Sequence, residues 1–191
     1  GLGPPIPRAH FATPDGVPLL LGMGRLHEVK AHDVSLRALQ LLPEAYLWIA
    51  GHGPEEQKLK SLAEELGVAE RVRFLGWRTD APALYRSADV CVFPSRFEPL
   101  GNVVIQAWAH GLPVVAAKAA GPASLIRDGE DGFLIPIDNH QALADKARIM
   151  LSDAELRKSF ISAGRARVAA DFSEAAVVAQ WRDLLARYGA E

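Results

Sequence analysis

Residues 90–115 read Val90-Cys91-Val92-Phe93-Pro94-Ser95-Arg96-Phe97-Glu98-Pro99-Leu100-Gly101-Asn102-Val103-Val104-Ile105-Gln106-Ala107-Trp108-Ala109-His110-Gly111-Leu112-Pro113-Val114-Val115. Four apolar residues in a row, 90–93, are the pattern of a strand covered on both faces. Pro94 and Pro99 make an elbow, a helix is expected over about 101–110, and Gly111-Leu112 breaks it before a second apolar run at 113–116. Strand, elbow, helix and strand at this spacing form a parallel crossover unit.

The alternation continues in both directions. Upstream, strands are expected at 18–23, 45–50 and 71–75, with helices at 33–42, 55–66 and 81–87, the first with Asp33 near its N-cap. Downstream, a short helix follows Gly121-Pro122, a sixth strand spans 132–135, and a helix spans 139–151. Ser152 and Glu155 have capping-box spacing for a helix reaching about Ala170, and Ser173 caps a last helix striped with Val177, Val178, Trp181, Leu184, Leu185 and Tyr188. This predicts an α/β fold: a doubly wound, Rossmann-like parallel sheet of about six strands with helices on both faces. In the common order 3-2-1-4-5-6, strands one and four are neighbours, and ligands bind outside their carboxyl ends. Residues 1–17, rich in Pro and Gly, are expected to be an extended interdomain connector, 18–172 the domain the fold describes, and 173–191 a terminal helix.

The composition bounds the function. Twenty-one Lys and Arg against 23 Asp and Glu give a formal charge of −2, which favours neither nucleic acid nor an anionic membrane as partner. Cys91 is the only cysteine, so no intrachain disulfide is possible, a reducing compartment is implied, and a small apolar role in a strand is expected. No apolar run reaches the ~20 residues needed to span a bilayer. The chain is expected to be soluble and cytoplasmic, with peripheral attachment to the inner membrane face through a further domain left open.

Two unusual loops follow strands one and four. Gly22-Met23-Gly24-Arg25-Leu26-His27 fails the dinucleotide fingerprint at His27, and no Gly-Lys-Ser or Gly-Lys-Thr follows, so a dehydrogenase and a P-loop enzyme are disfavoured. What remains is a turn at Gly24 with Arg25 and Lys30, a planar fork and a mobile point charge suited to one diphosphate. In the elbow, Pro99 pushes Glu98 into extended geometry. The amides of Gly101, Asn102 and Val103 would face an anion or a hydroxyl-bearing ligand, and Gln106 follows ~8 Å along the helix. Trp48 and Trp108 lie in apolar stretches and are expected in the core; His52 is given no role.

Taken together, Gly24-Arg25-Leu26 with Lys30, Gly51-x-Gly53-Pro54, Phe74-Leu75-Gly76, Pro94-Ser95-x-x-Glu98-Pro99-x-Gly101, Gly111-x-Pro113-Val114-Val115 and Asp128-Gly129-x-x-Gly132-Phe133-Leu134 resemble the donor-binding, C-terminal domain of the group 1 (family 4) retaining glycosyltransferases of GT-B fold. The resemblance covers residues 17–188 and makes 18–172 a nucleotide-sugar-binding domain. It implies a nucleoside-diphosphate sugar such as a UDP-sugar as donor, an N-terminal acceptor domain as partner, and a hydroxyl acceptor on a glycan, lipid or small molecule. No Asp-x-Asp signature appears and the six His show no ligand-like pairing, so no metal or other cofactor is expected, and the charge balance gives no reason to expect nucleic acid. Arg25, Lys30 and Glu98 take the catalytic positions: the two cations neutralise the diphosphate and Glu98 contacts sugar hydroxyls, helped by the amides of Gly101, Asn102 and Val103. Gly24 admits close approach, Gln106 contacts the ribose, and the backbone of Leu75 to Trp77 borders the base. The family pattern has Glu where this chain has Gln106, Asp where it has His52, and Gly where it has Ala31. Two other readings stand beside transfer: a non-catalytic nucleotide-sugar-binding module, and an epimerase or hydrolase of the same architecture.

Overall fold

The structure, a computed structural model, describes residues 3–188, with side chains to Arg182. Its centre is a six-stranded sheet ordered β3-β2-β1-β4-β5-β6, as expected. The strands are β1 (Leu19–Met23), β2 (Tyr46–Ala50), β3 (Val72–Gly76), β4 (Val90–Phe93), β5 (Val114–Ala117) and β6 (Phe133–Ile135), and every pair is parallel. The helices are α1 (His32–Gln40), α2 (Glu56–Glu65), α3 (Ala81–Ser87), α4 (Asn102–Ala109), α5 (Ala120–Leu125), α6 (His140–Ser152), α7 (Ala154–Arg167) and α8 (Glu174–Tyr188). None of the described helices is long and apolar enough to cross a membrane.

Successive strand residues point to opposite faces, and the two faces build two cores. Leu20, Leu47, Ile49, Val92 and Val115 pack with Leu36 and Leu39 of α1, Leu59 of α2 and Leu143 of α6. On the other face Leu21, Trp48, Cys91, Phe93 and Val114 pack with Leu84 of α3 and with Val104 and Trp108 of α4. Trp48 and Trp108 are core residues, and each finds the acceptor its indole N–H needs: Thr13 Oγ1 at 2.9 Å and the Asp131 carbonyl at 2.9 Å. Cys91 is buried, and burial pushes its thiol up to about 12, so it is an inert small apolar group.

Two local expectations are corrected. The cap of α7 is Asp153, whose Oδ1 accepts from Leu156 N at 2.9 Å, and not Ser152; α7 gives way at Arg167 to a π-helical turn over Val168–Phe172. The start of the chain is not simply extended. Arg8–Phe11 form a 3-10 turn, Arg8 pairs with Asp89 at 3.0 Å, Ile6 N donates to Ser87 Oγ at 2.8 Å, and Arg73 Nε donates to the Phe11 carbonyl at 2.8 Å. The cap of α1 is Ala31, and Asp33 lies near it in the first turn, as expected. Ser173 does cap α8, accepting from Ala176 N at 3.2 Å, and Val177, Val178 and Trp181 are exposed along it. The side chains of Leu184, Leu185 and Tyr188 lie outside the described residues.

The loops at the carboxyl ends of β1, β2 and β3 touch backbone to backbone. Gly24 N donates to the Ala50 carbonyl at 3.0 Å, Leu26 N to the His52 carbonyl at 3.0 Å, and Gly51 N to the Gly76 carbonyl at 2.8 Å. Only glycine permits this at residue 51, where φ is 148° and a Cβ would sit 1.9 Å from the Gly24 carbonyl oxygen. His32, 4% exposed, lies beneath the same loop, its Nδ1 3.4 Å from where a Gly22 Cβ would stand. Burial drives its pKa from 6.5 down to about 4, against the opposing pull of the Gly24 backbone and Asp33.

Two outcomes follow. Gly51→Ala combines overpacking with a disfavoured backbone and should cost about 3 kcal/mol, read as a lower urea midpoint at unchanged m-value. Because the folded pKa of His32 lies below its unfolded value, its contribution is complete above pH 6.5 and is lost as pH falls through about 4. Urea melts from pH 7 to pH 4 should lose about 3 kcal/mol to this group, and His32→Gln should flatten that slope.

Candidate functional site

Because β1 and β4 are neighbours, paired Leu20 to Val90 and Leu21 to Cys91, the two unusual loops emerge side by side. After β1 the chain turns at Gly24, with φ 140°, and passes the exposed Arg25 to a 3-10 turn over Glu28–Lys30. His27 Nδ1 caps that turn, accepting from Val29 N at 3.3 Å. Ala31 then takes left-handed geometry at φ 55°, which explains why a glycine suits the place after the lysine.

After β4 the elbow carries Glu98 outside the helix, as Pro99 requires, and Gly101 begins α4 in left-handed geometry at φ 78°. Two close backbone approaches fix it: Gly121 N donates to the Glu98 carbonyl at 2.7 Å, and a Cβ on Gly121 would lie 2.6 Å from the Leu100 carbonyl carbon.

The two loops meet through an ion pair between Lys30 Nζ and Glu98 Oε2, with side-chain exposures of 24% and 11%. The other oxygen of Glu98 accepts from Gly101 N at 3.2 Å and Leu100 N at 3.4 Å. Burial works against ionisation, but the Lys30 ammonium and the two amides outweigh it and hold the carboxyl below its usual range. Lys30 also lies 5.8 Å from the Phe93 ring centroid. Lys30 pairs directly with Glu98, and one expectation changes: the Gly101 amide is occupied by Glu98 itself, so that Asn102 and Val103 offer the open amides of the first turn.

Beside the pair opens a cleft of about 540 Å³. It is lined by Gly24, Arg25, Gly51, His52, Trp77 and Arg78 and by Val103 of α4. The Trp77 ring is 74% exposed and stands edge-on to His52, ring centroids 5.8 Å apart. Arg78 is braced by Asp80 through bonds of 2.9 and 2.6 Å.

Of the residues singled out from sequence, Gly24, Arg25 and Val103 line the cleft; Lys30, its stem 3.6 Å from where a Gly24 Cβ would stand, pairs with Glu98, which accepts from Gly101, and these three adjoin the cleft without lining it, while Asn102 is exposed on the first turn of α4. Leu75 is half-buried and packs against the core, and Gln106 is exposed; neither lines the cleft. His52, Trp77 and Arg78 were missed as side chains. The signal for them was positional: Gly51 and Gly76 end β2 and β3 at the same edge as Gly24 ends β1.

Chemically, this edge offers one exposed guanidinium, one exchangeable ammonium, a carboxylate, free amides and an aromatic plate. It suits an elongated ligand with an anionic middle, a hydroxylated end and a flat end.

Known proteins share the architecture. The chain is 37% identical over 181 residues to the lipopolysaccharide core biosynthesis glycosyltransferase LpsE of Rhizobium meliloti, covering 95% of this chain and 53% of that protein. Its fold matches the crystal structure of Anabaena Alr3699/HepE in complex with UDP and glucose at TM-score 0.83 and 28% identity, over 88% of this chain and 48% of that one. It matches sucrose-phosphate synthase from Thermosynechococcus elongatus at TM-score 0.86 and 31% identity, over 99% and 50%. The chain thus spans about half the length of these proteins. The model of the family described as glycosyl transferases group 1 matches residues 6–167, and the chain belongs to that family.

Proposed function

We propose that the chain is the donor-binding half of a retaining glycosyltransferase, taking a nucleoside-diphosphate sugar, UDP-linked in the first instance, and passing the sugar to a hydroxyl of a glycan, lipid or small molecule. The observation that carries this is the Lys30–Glu98 pair beside Gly24, which lines the cleft together with Arg25 and Trp77. The likeness to a structure holding UDP and glucose supports the same reading.

Binding in this reading is an exchange of partners. Before the donor arrives, Lys30 is neutralised by Glu98. The diphosphate, doubly charged, takes Lys30 and the fork of Arg25, while Glu98 is released to accept hydrogen bonds from sugar hydroxyls. Asn102 and Val103 present their amides to the same end, and Trp77 and His52 flank the base. When the anomeric C–O bond breaks, negative charge grows on the diphosphate, and cations already in place stabilise it most in the transition state. The departing phosphate oxygen accepts the acceptor's proton on the same face, so the step needs no protein nucleophile. Neutralisation of the diphosphate falls to Arg25 and Lys30 rather than to a metal ion.

The acceptor is held by a second domain. The exposure of Phe97 and Leu100 on the elbow, 65% and 66%, supports a cover over this edge.

Calorimetry on the purified chain against UDP, ADP and GDP tests donor binding and ranks the bases. Lys30→Ala and Arg25→Ala should each weaken UDP about ten- to a hundredfold, the range for a hydrogen bond to a charged group. Glu98→Gln should bind UDP no more weakly than wild type, because Lys30 is freed, yet lose any preference for UDP-sugar over UDP. Absence of binding to every nucleoside diphosphate at millimolar concentration would overturn the proposal. Sugar transfer by the 191-residue chain alone would contradict the half-site reading.

A further inference from the structure

Arg96 stands two residues before Glu98 and does not line the cleft. Its guanidinium nevertheless makes more bonds than any other side chain at this edge. Nη1 donates to the Glu28 carbonyl at 2.8 Å and to Asp33 Oδ1 at 3.0 Å, Nη2 to Asp33 Oδ2 at 2.7 Å, and Nε to Asp138 Oδ1 at 2.6 Å. Asp138 holds left-handed backbone geometry, φ 61°, in the loop between β6 and α6. One side chain therefore joins three loops, those after β1, β4 and β6.

The main chain adds a second tie at the same place. Arg96 N donates to the Val29 carbonyl at 2.8 Å, and Phe97 N to the same oxygen at 3.4 Å. Val29 precedes Lys30, and Phe97 precedes Glu98. The clamp thus fixes each loop one residue before the group that acts. Lysine on its four-carbon stem cannot place its own charge, so the position of its Cα decides what it reaches.

We propose that Arg96 is a positioning residue, which locks the loop after β1 to the elbow and, through Asp138, to the loop after β6, so that Lys30 and Glu98 are presented to one ligand. The assignment rests on the donor-binding reading given above. A network with side-chain exposures of 27% for Arg96, 32% for Asp33 and 57% for Asp138 contributes little to global stability. Its effect is on placement, where an error of about 1 Å costs up to about a hundredfold.

The test uses the purified chain with two readouts: UDP affinity by calorimetry, and the titration midpoint of the Glu98 carboxyl by NMR on glutamate-labelled protein, which needs no nucleotide. Arg96→Ala should weaken UDP by about tenfold or more with little change in melting temperature. Arg96→Lys should fail to restore it, because an ammonium cannot hold Asp33, Asp138 and a carbonyl together. In a Lys30→Ala background Arg96→Ala should cost nothing further, and Arg96→Ala alone should raise the Glu98 midpoint toward its value in Lys30→Ala. Additive losses in the double variant, an unmoved Glu98 midpoint, or wild-type affinity in Arg96→Lys would each overturn the assignment. If Arg96→Ala does not fold, Arg96→Lys and Asp138→Asn carry the same two readouts. If wild type binds no UDP, donor binding fails, while the Glu98 titration still decides the role of Arg96.

Discussion

A strand buried on both faces has no room for a charged side chain, and this constraint sorts the molecule. The strands of the sheet centre are built from residues such as Leu20, Leu21, Val92 and Phe93, each at most 2% exposed. Burying one such side chain stabilises by about 1.5–3 kcal/mol, so a charge placed mid-strand would forfeit that and pay for its own desolvation. Charged groups are therefore displaced to the strand ends. There, parallel strands bring several carboxyl ends to one edge, where loop backbones lie together and helix amides point outward. The site is a consequence of how the core is filled.

At that edge the molecule faces a second problem, which is to keep opposite charges near one another without wasting them. Lys30 and Glu98 satisfy each other when no ligand is present, and the spare oxygen of Glu98 holds the amides of Leu100 and Gly101. Such a pair is partly screened and readily exchanged, unlike Asp131, which is 2% exposed and bound to Arg167 at 3.0 Å and to Arg127 N at 2.8 Å. The second arrangement holds α7 to the domain; the first leaves a lysine that a better anion can claim. Arg96 belongs to neither kind, since it does not line the cleft beside Gly24 yet fixes where the exchangeable pair stands.

Much of this was legible in the chain. Apolar runs alternating with helical stretches mark six strands, their order is the one common to doubly wound sheets, and the proline at 99 correctly puts Glu98 outside its helix. What could not be read has physical reasons. Ser152 and Asp153 are both good caps, and only the path of the chain chooses between them. The proline-rich start looks extended by composition, but Trp48 needs an acceptor for its indole N–H and Thr13 supplies it from that segment. Lys30 and Glu98 are 68 residues apart, so their pairing belongs to tertiary structure, although the loops that carry them were identifiable. His52 and Trp77 meet only because the ends of β2 and β3 are adjacent in the sheet. The ribose contact expected of Gln106 came from the family resemblance and not from its spacing, and Gln106 is exposed on α4 and does not line the cleft.

The most direct measurement is a crystal structure of this chain with UDP bound. The expected result is a diphosphate between Arg25 and Lys30, Lys30 drawn off Glu98, and the uracil ring at Trp77. A nucleotide seated elsewhere, with the Lys30–Glu98 pair intact, would contradict the account.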